Sequence, residues 1–214
     1  MPTTLADALS EALHTSESAC EAELARAEAE LSRLAHAATD LDLVERAMHQ
    51  EAGDTPLLGT SLQTHVYPAL IWNGERFERL QATWPARLAF LVLATAGKDF
   101  GRSRSARAIT VGEAVRRNWP QDPESPVTGL TTSSVGAAVC AAIAAGVPDD
   151  DLEAVAEVAA AVMLVTPVRP TAEVRESHAG HALASGWLAV QLFRSGVVAA
   201  PGTAAEVLGT QVAP

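Results

Sequence analysis

Residues 174–196, VRESHAGHALASGWLAVQLFRSG, read as an apolar helix that opens with titratable chemistry. His178 and His181 stand three positions apart and so share a similar face, with Arg175 and Glu176 just upstream. An imidazole at a helix start meets unpaired N–H groups and the positive end of the helix dipole. Both favour a bound carboxylate and lower the imidazole pKa, leaving a neutral ring able to accept a proton. Arg175 stays protonated, so it can clamp a carboxylate or stabilise an enolate but cannot serve as a base. The plainer reading is a histidine that caps or packs at a helix start, with His181 in support. Two histidines at i, i+3 can also chelate, but a metal site needs a third ligand from a neighbouring element. Glu176 points elsewhere on the helix, so no metal is expected.

A second group stands in residues 51–75, EAGDTPLLGTSLQTHVYPALIWNGE. Asp54, Thr55 and His65 occupy an irregular stretch rich in Gly, Thr and Pro, read as a loop over 51–65 that forms a pocket. An acid and a histidine from this loop, facing His178 across a helical cleft, would form a proton-transfer pair. GDTP is equally the sequence of an ordinary turn. The aromatics Tyr67, Trp72, Trp84, Phe90 and Trp187 read mostly as core; Tyr67 and Trp187 stand nearest these residues and are the candidates to line a pocket if one forms.

The elements that must position these groups read as helices. Leu5, Leu9 and Leu13, then Leu24, Leu31 and Leu34, recur at helical spacing from residue 5 to about 37, and Thr39 and Asp40 look like a cap before residues 41–50. A strongly apolar helix is expected around residues 85–96. GRSRSARA, residues 101–108, reads as a mobile basic surface loop, followed by a short helix capped by Thr110. The prolines of residues 120–129 exclude helix there, and small-residue and acidic-start helices follow at 131–147 and 148–165. Neither strand alternation nor a hairpin signal is present. The expectation is an all-α chain, one compact helical domain of about eight helices spanning residues 1–214, with N-terminal helices over 1–50 and a helical core over 66–214.

Charge and composition exclude several classes. The formal net charge is −11, and such a field repels phosphate backbones, so nucleic acid is not an expected partner. Apolar runs are broken before bilayer length and the amphipathic, acidic N-terminal stretch is unlike a secretory signal, so a soluble, cytoplasmic chain with no membrane partner is expected. Cys20 and Cys140 have no CxxC partner and read as free thiols in a reducing compartment. Lys98 is the sole lysine, so a mechanism needing two lysines cannot run on this chain alone.

The order of residues in the C-terminal third, over about eighty positions, resembles the helical domain of the MmgE/PrpD family. That family includes 2-methylcitrate dehydratase, cis-aconitate decarboxylase and iminodisuccinate epimerase. The matching positions are Gly136, Ala137, Ala138, His178, Gly180, Gly186, Gly196, Pro201 and Leu208; Glu51, Asp54, Thr55, His65, Pro68, Ala69, Leu70 and Glu75 follow the family order in the first half. The chain departs from the pattern in having Arg175 where the family has lysine and no histidine before its GAA helix. The α+β domain that follows in the family and supplies a second lysine is not expected here. The resemblance implies a trimmed helical domain acting without a cofactor on a small molecule, with His178, His65 and Asp54 as catalytic candidates. Arg175, His181, Thr55, Tyr67 and Trp187 would bind the substrate. The implied chemistry is a lyase, isomerase or cyclase reaction in a specialised, secondary-metabolite pathway. The alternative is a non-catalytic helical binding or partner subunit. Alanine-rich helices suggest a homodimer under either reading.

Overall fold

The computed structural model describes residues 4–96, 101–119, 126–162 and 177–207, with 126–130 as backbone. Thr4 starts the first helix through a capping box. Its hydroxyl accepts the Asp7 N–H at 3.1 Å, and its own N–H donates to the Asp7 carboxylate at 3.2 Å. The helical run expected from residue 5 to 37 divides into α1 (Leu5–Leu13) and α2 (Glu17–His36). The break falls where Ser16 caps the second helix by accepting the Ala19 N–H. α3 (Leu41–Met48), α4 (Val66–Arg79) and α5 (Trp84–Ala96) follow.

Between α3 and α4 the loop is closed by a two-residue antiparallel ladder, β1 (Thr55–Pro56) against β2 (Gln63–Thr64), which the sequence did not signal. Asn73 on α4 pins it. Its amide oxygen accepts the Leu58 N–H at 2.9 Å, and its nitrogen donates to the Pro56 carbonyl at 3.0 Å. The ladder is too short to change the class: the chain folds as an all-α domain.

The arginine stretch corrects the sequence reading. Residues 102–108 are the first turns of α6 (Arg102–Asn118), and Thr110 is interior to that helix rather than its cap. Three acidic neighbours hold this end: Arg102 pairs with Glu21 and Glu28, and Arg107 with Asp149. α7 (Pro126–Ala144) likewise begins inside the stretch expected to be non-helical; proline suits a first helical position, where its missing N–H costs nothing. A 3₁₀ turn at Asp149–Asp151 leads into α8 (Leu152–Ala161), and α9 (His178–Arg194) and α10 (Thr203–Val207) complete ten α-helices among the described residues. The expected count of about eight is exceeded because the N-terminal run divides and the last turn is itself a helix.

α7 is the axis of the molecule. Every residue from Thr131 to Ala144 is buried, and α5, α6, α8 and α9 pack around it. A helix apolar all round belongs in a core, and small residues let its neighbours come close. A Cβ on Gly136 would collide with the Gly112 carbonyl of α6, and one on Gly186 with Ala137 and Ala138. Arg194 at the end of α9 donates to the Ala145 carbonyl just past α7, so α7 and α9 run parallel.

Two buried charges serve structure. Arg76, 1% exposed, donates to the Leu34, Ala37 and Ala38 carbonyls and to the Thr39 hydroxyl, closing the C-terminal end of α2. Glu157 on α8 accepts the N–H groups of Gly202 and Ala204 at 3.0 and 2.6 Å and so fixes the start of α10. Among the described residues no helix is long and apolar enough to cross a membrane.

Candidate functional site

His178 is the first residue of α9, and its position is set by how α9 crosses α4. A Cβ on Gly180 would lie 2.5 Å from the Ile71 carbonyl oxygen, and a Cβ on Gly74 would collide with Gly180 itself. The two helices therefore touch backbone to backbone. Further along, Tyr67 meets Trp187 with ring centroids 6.4 Å apart and a 55° tilt. Contacts 74 to 180 and 67 to 187 define an antiparallel pair, so the start of α9 lies beside the end of α4.

That end of α4 is closed by a Schellman turn. Gln81 takes the left-handed conformation at φ 52°, its N–H donates to the Glu78 carbonyl, and the Ala82 N–H donates to the Phe77 carbonyl. The turn sends α5 back so that Arg87 meets Glu78 at 2.6 Å. The Arg87 guanidinium also lies 5.0 Å from the centre of the Trp84 ring, with that of Arg116 at 5.3 Å. Trp84 is half-buried and packs on Ala182, one turn into α9.

In this niche His178 is half-buried, and burial holds its imidazole below the ordinary histidine pKa. The nearby Glu78 carboxylate works in the opposite direction, while His181 and Arg87 reinforce the lowering. His181 is also pushed down by burial, and its Nδ1 is buried without a hydrogen-bond partner. Both rings thus favour the neutral form that general base chemistry needs. Among the described residues no cluster of three or more His, Cys, Asp or Glu side chains has the arrangement to hold a metal ion.

The second candidate group does not join them. His65 is exposed at the N-cap of α4, and Glu78, beside His178, stands thirteen positions along that helix, about 20 Å away at 1.5 Å per residue. Asp54 is exposed in the loop. The expected facing of Asp54 and His65 against His178 is therefore not formed, because antiparallel packing places the two groups at opposite ends of α4. Thr55 is 3% exposed in the short ladder, where it pairs with Thr64 in register, a structural placement. Tyr67 and Trp187 do come together, Tyr67 also lining a cleft of about 240 Å³ with Arg46, Gln50, Pro68, Ile71, Trp72 and Glu75. No residue of the 51–65 loop lines that cleft. Arg175 and Glu176 lie outside the described residues.

Sequence reasoning missed Glu78, Arg87 and the polar side of Trp84. Glu78 and Arg87 come from different helices, and no short spacing announces a pair joined by a turn. Two cations beside the Trp84 ring make it more than a core residue. No family model, no curated protein and no solved structure matches this chain.

Proposed function

We propose that the chain is a cofactor-independent small-molecule lyase or isomerase of the MmgE/PrpD type, with His178 as its proton-transfer group. One observation carries the reading. The first residue of a seventeen-residue helix is a half-buried histidine, kept neutral by its surroundings and placed where the helix dipole attracts a developing anion. A neutral imidazole there removes a proton next to a substrate carbonyl, the step shared by dehydration, decarboxylation and epimerisation. Orientation of a reactive chain for ring closure belongs to the same reading, and positioning supplies on the order of 7–11 kcal/mol in favourable reactions. Asp54 and His65, at the far end of α4, have no part in this site.

A second reading, a non-catalytic helical partner subunit, is favoured by a different observation. Gly74, Gly136, Gly180 and Gly186 all stand at helix crossings, so much of the sequence pattern is accounted for by packing alone. A homodimer belongs to both readings; Leu41 and Met48 are 80% and 70% exposed on α3, and analytical ultracentrifugation gives the mass.

Deleting the coding region in the host, with complementation by wild type or H178Q, separates the readings. An accumulating compound heavier than the end product by one water or one carbon dioxide, relieved by wild type but not by H178Q, supports the lyase. An isomeric compound with the same complementation pattern supports the isomerase or cyclase. An unchanged metabolite profile, or full complementation by H178Q, overturns His178 catalysis.

A further inference from the structure

We propose that residues 195–207 form a strap that gates access to His178: it covers one side of the start of α9, is latched to α8 by Glu157, and swings on Gly196 and Gly202. This rests on the reading of His178 as the proton-transfer group.

The placement follows from the register of α9. Gly180 is turned to α4, where it meets Ile71 and Gly74. His178, two residues earlier, lies on the other side of the helix, in one stripe with Ala182 four positions on. Ala182 is fully buried there, and packed on it are Trp84 at the start of α5 and Val207 at the end of α10. The chain leaves α9 after Arg194 and comes back to Ala182, which lies about 18 Å back along the helix at 1.5 Å per residue. The strap therefore doubles back and ends one turn from His178.

Its attachment differs from that of the core. From Ser195 to Val207 Ala204 alone is buried, and Val197 and Val198 are 43% and 73% exposed. On α8 the buried Glu157 carboxylate takes one N–H on each oxygen, that of Gly202 on Oε1 and that of Ala204 on Oε2. Bonds to an ionised acceptor are the strong ones, so a single side chain gives the strap a firm point of attachment. Gly196 and Gly202, at the two ends of the connector, both hold the left-handed conformation at φ 87°. A Cβ would meet nothing within 4 Å at either. At Gly74, Gly180 and Gly186 close packing demands glycine; at these two the backbone conformation does, as at a hinge. Closed, the strap narrows the approach to the imidazole; with Val207 lifted from Ala182, the approach widens for a substrate. A segment serving the fold alone would come away only when the α7 core does.

The test is the rate at which diethyl pyrocarbonate modifies each histidine of the full chain, read by mass spectrometry, with amide exchange in α7 followed on the same samples. His65, exposed at the far end of α4, is the internal reference. In E157Q the His178 rate rises about tenfold relative to His65 while α7 exchange is unchanged, because two charge-assisted bonds become neutral ones. An unmoved His178 rate in a folded E157Q chain, or a rise matched by faster exchange in α7, overturns the proposal. Should E157Q fail to fold, V207S decides: a raised His178 rate with α7 unchanged supports the strap, and an unmoved or lowered rate overturns it. The outcome is independent of the metabolite experiment. Full complementation by H178Q removes the catalytic reading, whereas an unresponsive His178 rate removes the gate and leaves that reading standing.

Discussion

Replacing Gly180 by alanine tests the crossing that places His178. In an isolated helix this change stabilises by about 1 kcal/mol, because alanine is the better helix former. Here the added methyl would sit 2.5 Å from the Ile71 carbonyl oxygen and 2.8 Å from the Ile71 Cα. The first distance is about 0.9 Å short of an ordinary 3.4 Å contact, and both neighbours are backbone atoms that cannot rotate away. The helices must separate, at an overpacking cost of about 1–3 kcal/mol. With the rigid neighbours placing the cost at the upper end, G180A loses about 2 kcal/mol net. For a chain of this length that lowers Tm by about 4–8 °C. Thermal unfolding followed by circular dichroism measures it, with G101A as the comparison. A Cβ at Gly101 meets nothing within 4 Å, so the effect there stays within about 0.5 kcal/mol. A G180A chain as stable as wild type, or more stable, would refute the close α4–α9 contact and with it the antiparallel register on which the site depends.

R76M leaves the terminal carbonyls of α2 in a buried setting without their donor and costs at least about 3 kcal/mol, read from the urea midpoint; an unchanged midpoint contradicts the assigned role. His178 and His181 both titrate below the ordinary histidine value in the folded chain. Between that lowered range and about 6.5 the unfolded chain binds more protons, so stability rises with pH across this window and is lost on acidification. The H178Q/H181Q double variant flattens that dependence, as denaturation at stepped pH would show. E157Q weakens the acceptor for two backbone N–H groups and speeds amide exchange at Gly202 and Ala204 relative to the α7 core.

The sequence carries most of the helices because their signals are local. Leucines at four-residue spacing in residues 5–13 and acids ahead of α8 need only neighbours along the chain to be read. What escapes it depends on partners distant in sequence. Residues 102–108 look like a basic loop until Glu21 and Glu28 of α2 stand beside Arg102. In NGERFER nothing marks Arg76 as the buried cation and Arg79 as the half-buried one; the choice is made by the end of α2, folded against α4. His65 and His178 look like partners in a list of candidates, and the direction in which α9 crosses α4 separates them. Glu78 acquires its place only through the turn at Gln81 that returns Arg87 to it.

The positions behind the family resemblance are of two kinds. Gly136, Ala137, Ala138, Gly180 and Gly186 lie where helices touch, and any protein with this packing needs small residues there whether or not it is an enzyme. Their agreement with a family pattern speaks for packing and is silent on chemistry. His178 differs in kind. It is half-buried, kept neutral at a cost to its own protonation, and set among an anchored carboxylate, a guanidinium and a second imidazole, none of which the crossing requires. Substitution should therefore divide the pattern. G180A changes stability first and function only through it. H178Q leaves stability near neutral pH within about 0.5 kcal/mol and acts on the metabolite, if the niche is catalytic. A chain in which both substitutions changed stability alone would have kept its family-like glycines for packing and used its histidine the same way.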